Sequence, residues 1–226
     1  MTIGIVVGRM FGAHRIGWLI ALTLLLGGCA TLPPDRAGPD EVSAAEREAA
    51  WVEHRAQIES LTDWAVDGRA AIRSPEGGGS VQLRWVQVGV HFDMLVSAPL
   101  GQGSLRLTGK PGDVLVVDAT GSRLRTSDLD AVLREQTGWP VPVAALPDWI
   151  RGLPGPEASD FELDPRGRIT RIQQGPWRIE LDRYRNENGY MLPGRLLAES
   201  GELRLRLIID QWRLQQGEQD PGQEPE

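Results

Sequence analysis

The 226-residue sequence predicts a mainly β, α+β fold: an antiparallel meander that curls around a short helical insertion. Three observations point there. From Asp63 onward, apolar residues recur at every second position, the period of a strand with one covered face. Glycine supplies 27 of 226 residues, about 12 % against a usual ~7 %, and it gathers in turns that punctuate the strands. A stretch of about thirty residues beginning at Ser127 has helical spacing and separates two runs of strands.

Each element follows from its residues. A helix is predicted over Asp40–Ser60, rich in Ala, Glu and Arg, with Trp51, Arg55, Ile58 and Thr62 on one stripe and Leu61 beside it. Trp64, Val66, Gly68, Ala70 and Ile72 then alternate with Ala65, Asp67, Arg69 and Ala71, before Pro75–Gly79 turns the chain. Val81, Leu83 and Trp85 form the next inward row, followed by Phe92, Met94 and Val96, then by Leu105 and Leu107. Lys110–Asp113 is a turn leading into Val114–Val117. Ser127 is placed as the cap of a helix whose apolar face is Leu129, Val132 and Leu133 and which Gly138 ends. Trp139-Pro140-Val141-Pro142-Val143 cannot be regular helix, and Leu146–Gly152 reads as one short helix with Pro147 in its first turn. Strands resume at Asp160–Leu163, Ile169–Gln173, Trp177–Tyr184, Arg195–Ala198 and Leu203–Trp212. About ten antiparallel strands curl, and the insertion is placed to plug the concave side. Periodicity does not decide whether side chains fill that space or leave it open for a ligand.

The N-terminus reads as a targeting segment. Arg9 and Arg15 precede the uncharged run Ile16–Leu26, which is too short for a membrane span, and Gly27-Gly28-Cys29 follows. The eight residues before Arg9 carry no charge, atypical of such a leader, which makes Met10 a candidate translation start. Leu26-Gly27-Gly28-Cys29 resembles the bacterial lipobox, so residues 1–28 are expected to be a signal peptide and Cys29 the site of lipid attachment. In lipoproteins of this kind an Asp after the cysteine favours the inner membrane; Ala30 here implies the outer membrane, on its periplasmic face. The signal carries two arginines and no acid, so its removal takes the net charge from −7 to −9. Residues 29–39 are Pro-rich and read as a lipidated tether, residues 40–214 as the folded domain, and residues 215–226 as a disordered acidic tail.

Chemistry is sparse. No G-x-S-x-G, H-E-x-x-H, C-x-x-C or P-loop is present, and Gly101-Gln102-Gly103-Ser104 leads into a strand as a turn. One cysteine excludes an internal disulfide and Cys-based zinc sites, and the negative charge argues against a nucleic-acid surface. His14 leaves with the signal; His54 and His91 are scattered. Asp128 and Asp130 suit a helix start better than a paired-acid site. The chain is therefore read as a monomeric non-enzyme with no catalytic residue, metal or cofactor. Tryptophan is the exception to this plainness: eight in all, seven after the signal. Singly, each suits a core. Trp64 and Trp85 lie on inward strand faces, however, and Trp139 and Trp149 in the insertion, so a lid would bring the four around one apolar space. Pro99-Leu100-Gly101 joins two strands, and Leu100 either folds back onto the core or stands out as an apolar tip.

Together these residues resemble the LolB family of outer-membrane lipoprotein receptors. The matches run from Trp51 to Trp212 and include Trp51 with His54, Asp67-Gly68-Arg69-Ala70, Leu83-Arg84-Trp85, Pro99-Leu100-Gly101 and Gly138–Val143. The most specific are Asp148–Pro154 and Gln174-Gly175-Pro176-Trp177-Arg178-Ile179, where Pro176 departs from a Gln-Gly-Trp run; the acidic tail is also extra. The resemblance implies an incomplete antiparallel β-barrel of about eleven strands with a helical lid over an apolar cavity. It further implies transfer of lipoprotein acyl chains from a LolA-like periplasmic carrier into outer-membrane lipid, with Leu100, flanked by Pro99 and Gly101, as the membrane-insertion loop. Candidate cavity residues are Trp64, Val66, Leu83, Trp85, Phe92, Met94, Leu105, Trp139, Trp149 and Ile150. The competing readings are a diffusible carrier, which the lipobox disfavours, a structural or assembly-factor lipoprotein with a filled core, and a lipid hydrolase, which lacks its nucleophile motif.

Overall fold

Alternating side chains can bury one face of a strand only if neighbouring strands present the same face, and here eleven strands do so in one sheet. A computed structural model describes residues 42–75, 77–101, 103–137 and 142–214. The predicted signal, Cys29 with its tether, Trp139 and the acidic tail lie outside them. Helix α1 (Ala44–Glu59) comes first, then β1 (Asp63–Ser74), β2 (Gly77–Val88), β3 (His91–Ser97), β4 (Ser104–Lys110), β5 (Asp113–Asp118) and β6 (Arg123–Thr126). Helix α2 (Leu129–Thr137), a 3₁₀ turn (Val143–Ala145) and helix α3 (Leu146–Arg151) form the insertion. β7 (Ala158–Leu163), β8 (Ile169–Gln174), β9 (Trp177–Asp182), β10 (Arg185–Glu187), β11 (Tyr190–Leu192), β12 (Arg195–Ser200) and β13 (Leu203–Leu214) complete the described chain.

The sheet runs β6-β5-β4-β3-β2-β1-β13-β12-β9-β8-β7, with every described pairing antiparallel. β10 and β11 form a separate hairpin. The two ends of the sheet, β6 and β7, do not pair with each other, so this is the incomplete barrel that the resemblance implied. Among the described residues no helix is long and apolar enough to cross a membrane.

One irregularity sets the parity of the longest strand. Leu203, Leu205, Leu207 and Ile209 are buried at every second position, but the next buried residue is Trp212, three further on. The register between β1 and β13 shifts at Asp67/Gly68, which lets a residue of β13 bulge out and returns Trp212 to the inner face. Gly68 makes room for this: a Cβ there would lie 2.5 Å from the Ile208 carbonyl oxygen. The Gly175–Pro176 departure sits harmlessly in the two-residue turn between Gln174 and Trp177, where Gly175 takes φ 54° and no ladder N–H is needed from proline.

Several expectations are corrected. α1 starts at Ala44 behind a capping box in which Ser43 Oγ accepts from the Glu46 N–H and Glu46 accepts from the Ser43 N–H. Its buried stripe is Trp51, His54 and Ile58, not one through Arg55, which pairs in solvent with Glu59. Asp128, rather than Ser127, caps α2 by accepting the Ala131 N–H. The strand from Trp177 stops at Asp182, because Arg183 takes φ 55° and redirects the chain into the β10–β11 hairpin. Neither that hairpin nor β6 is predicted from periodicity, because three or four residues are too few to show a period.

α1 is locked to the far end of the sheet by a polar cluster that is mostly covered. His54 lies beside Trp51 and Tyr184, and its Nε2 has no hydrogen-bond partner among the described residues. Burial, then the neighbouring Arg168 charge, lowers its pKa, against a smaller opposing effect of Asp164. Tyr184 donates its hydroxyl to the Ile169 carbonyl at 2.7 Å, and burial raises its pKa strongly. Burial would raise the Asp164 carboxyl too, but the Arg168 guanidinium and the Arg166 and Arg168 N–H groups outweigh it and hold the acid below its usual range. The β7–β8 turn then presses its Gly167 onto α1, where φ is +71° and a Cβ would stand 2.4 Å from the Trp51 nitrogen.

Two outcomes follow. Gly167→Ala should cost the sum of left-handed strain and a backbone clash, about 2 kcal/mol or more in urea unfolding, whereas Gly201→Ala, at φ +58° in open space, should cost only about 1 kcal/mol. His54 has a depressed folded pKa, so the unfolded chain takes up its proton first. Its contribution is intact above the ordinary value of 6.5 and is lost as pH falls through the folded value. His54→Phe should flatten that part of the stability profile; an unchanged slope would reject the assignment.

Candidate functional site

The inner face of the sheet is covered unevenly. Across β7–β9 it is filled: Trp149 packs on Trp177 at 5.8 Å between ring centres, and its indole N–H donates to Gln174 Oε1 at 2.9 Å. Trp51 and Ile58 of α1 and Ile150 of α3 are buried in the same core. Across β1–β5 a cavity of about 540 Å³ remains between the sheet and the insertion. Trp64, Trp85, Phe92, Met94 and Val114 line it from the strands; Leu129, Val143, Ala144 and Pro147 line it from the helical segment. That volume falls in the range of pockets that enclose small apolar ligands.

The tryptophans form a stiff wall. Trp64 packs against Trp85 at 5.0 Å and against Trp212 at 5.7 Å. Two of the three indole N–H groups are satisfied within the scaffold. Trp85 donates to Gln87 Oε1 at 3.0 Å, Gln87 Nε2 donates to the Gly89 carbonyl at 2.9 Å, and the Gly89 N–H donates to Asp63 at 2.8 Å. Trp212 donates to the Pro193 carbonyl at 3.1 Å. Gln87, itself buried, thus satisfies the Trp85 indole from within the same strand.

Charged groups at the cavity are engaged with the scaffold. Arg151 donates to the carbonyls of Pro147 and Leu61 and to Asp148, which fastens α3 to the loop after α1. Asp130 accepts the Val143 N–H at 3.0 Å and so ties α2 to the 3₁₀ turn. Burial raises the Asp130 carboxyl, the Val143 N–H opposes this, and Asp128 adds to the rise. Among the described residues no group of three His, Cys, Asp or Glu could hold a metal ion.

Of the candidate cavity residues, Trp64, Trp85, Phe92 and Met94 are brought together around the opening. Val66, Leu83, Leu105, Trp149 and Ile150 do not line it: Val66, Trp149 and Ile150 are fully buried, and Leu83 and Leu105 are partly buried against the core. Trp139 lies outside the described residues. Gln87, Asp130, Val114 and Val143 were missed, although Gln87 continues the inward parity of Leu83 and Trp85.

Leu100 resolves differently from its surroundings. It is 95 % exposed, and its φ of 58° places it in the left-handed region that leucine normally avoids. The loop neck is closed by the Ala98 N–H donating to the Gly103 carbonyl at 2.9 Å, with positive φ at Gly101 and Gly103. An exposed apolar residue held in a disfavoured backbone region combines two costs at one position. It stands beyond the end of β3 opposite the cavity-lining residue Val90, roughly 23 Å of strand away.

Comparison with known proteins agrees with this architecture. The family profile described as outer membrane lipoprotein LolB matches residues 62–212. Outer-membrane lipoprotein LolB of Pseudomonas aeruginosa is 39 % identical over 193 residues, which are 85 % of this chain and 92 % of its own. That of Stutzerimonas stutzeri is 37 % identical over 196 residues, 86 % and 93 % of the two chains. Among solved structures, a LolA superfamily protein from Nitrosomonas europaea superposes with a TM-score of 0.52 at 12 % identity, over 78 % of this chain and 95 % of its own, a likeness of fold alone. With more than half its length matched by the family profile and its relatives spanned almost end to end, the chain belongs to the LolB family of outer membrane lipoproteins.

Proposed function

We propose that this outer-membrane lipoprotein takes the acyl chains of other lipoproteins into the cavity between β1–β5 and the helical segment, and delivers them to the membrane that anchors it. The supporting observation is the division of the concave face: one half is filled by α1 and α3, while the other is left open behind Trp64, Trp85, Phe92 and Met94. A chain that needed only a stable core would be expected to fill both halves.

The energetic need for such a space is large. Three acyl chains present roughly 45 methylenes, so exposing them to water would cost on the order of 35 kcal/mol at ~0.8 kcal/mol each. Passage from one apolar cavity to another avoids that state, and about 1.4 kcal/mol of tighter binding at each stage biases the equilibrium tenfold without nucleotide hydrolysis. The donor in this reading is a LolA-like periplasmic carrier, and Cys29 is the anchor that keeps the acceptor at the outer membrane. No step breaks or forms a covalent bond, so no catalytic residue is required.

Two experiments test this. The chain from residue 29 onward, with Cys29→Ser, contains the complete described sheet and its core and is expected to fold alone. Mixed with a LolA-type carrier holding a radiolabelled lipoprotein, it should take up the label. Label remaining on the carrier while the domain is demonstrably folded would instead favour an assembly-factor lipoprotein with a filled core. Leu100→Glu should leave the thermal midpoint within a degree or two, since the side chain contacts little, yet impair insertion of cargo into vesicles. Normal insertion by that variant would sink the membrane-loop role.

A further inference from the structure

The outer face of the sheet carries mostly neutralised arginines. Arg84 and Arg213 pair with Asp67, Arg106 with Asp93, and Arg195 with Asp182. Near the Leu100 loop the pattern changes. A second concavity of about 500 Å³ lies there, with Arg69, Arg183 and Arg206 among its lining and Pro99 as one wall. Arg69 is held by Asp210, but Arg183 and Arg206 are exposed and make no ion pair or hydrogen bond with another side chain among the described residues.

The register explains the concavity. Arg206 lies opposite Ala71 on β1, and Ala71 lies opposite Ser80 on β2, so two small side chains follow the arginine across three strands. The neighbouring row toward the start of β1 is bulkier: Arg69 lies between Ile208 and Gln82. The result is a trough with a hydroxyl and two uncompensated guanidinium groups, in a chain whose net charge is −7. Its wall residue Pro99 is the covalent neighbour of Leu100, so trough and apolar tip are separated by a few ångströms of backbone.

An apolar tip beside a cationic trough matches the layering of a phospholipid surface, where phosphates lie a few ångströms above the acyl chains. We propose that the Arg69–Arg183–Arg206 trough binds the phosphate of an anionic phospholipid headgroup when Leu100 enters the acyl layer, and so sets the orientation of the domain on the membrane. Guanidinium forks suit phosphate oxygens, and two of the three arginines are uncommitted. The inference rests on the membrane-loop role of Leu100 and adds to it a headgroup preference that a leucine cannot supply.

The test uses the chain from residue 29 onward with Cys29→Ser, so that no acyl anchor masks the contact. Its partitioning is measured on vesicles of phosphatidylcholine alone and of phosphatidylcholine mixed with phosphatidylglycerol. Arg183→Gln and Arg206→Gln should each lower partitioning on the mixed vesicles about fivefold, leave phosphatidylcholine partitioning nearly unchanged, and reduce the sensitivity to salt. Arg166→Gln, an exposed arginine in the β7–β8 turn, serves as the charge control and should change neither. Retention of the phosphatidylglycerol preference in both trough variants, or its equal loss in the control, overturns the proposal. Leu100→Glu separates the two ideas. Loss of partitioning on both vesicle types supports the loop role whatever the arginine variants do. Undiminished partitioning removes the loop role and, with it, the coupled insertion proposed here.

Discussion

A sheet with one apolar face must cover that face, and in this molecule it cannot do so by closing on itself. β6 and β7 end the sheet without pairing to each other, so the inner surface of a nearly complete barrel is left to be covered by three short helices. Everything else depends on how little those helices reach. α1 and α3 fill the concave side under β7–β9, whereas α2 and the Val143–Ala145 turn only bridge the side under β1–β5. The cavity is the remainder of that coverage, and its walls are stiff because they are strands.

The two free edges are protected in different ways. β6 is four residues long, carries Arg123 and Arg125, and pairs the latter with Asp113. β7 shifts register twice against β8 and presents Asp160 and Glu162. Short length, charge and irregularity all discourage a further strand from adding there. A bilayer-associated protein that handles apolar cargo has reason to suppress such pairing.

In the proposed role, function is distributed over both faces and both ends of the sheet. Acyl chains need a dry, weakly directional enclosure, which Trp64, Trp85, Phe92 and Met94 provide once Gln87 has satisfied the Trp85 indole internally. Membrane contact needs the opposite, an apolar side chain that folding does not consume, and Leu100 is held outward by a left-handed backbone and a closed loop neck. The trough between Arg183 and Arg206 lies beside that loop, where the proposed orientation would place lipid phosphates.

The sequence alone determined the class of fold, most strand positions, the helical insertion and the family, because period-two alternation and local motifs such as Asp148–Pro154 are properties of neighbouring residues. It also singled out Leu100, which the structure leaves exposed, and four of the tryptophans and apolar residues that line the opening. The tertiary structure decided the rest. Val66 and Trp64 share an inward parity, yet only Trp64 meets the cavity; Trp149 points to Gln174 and Trp177 because α3 is fastened by Arg151 to Leu61, ninety residues away in sequence. Trp212 faces inward only through the bulge at Gly68, and the Arg206–Ala71–Ser80 row exists only in the register of three strands. Periodicity assigns a side chain to a face; which neighbour it meets there depends on long-range pairing, twist and the partial reach of the helices.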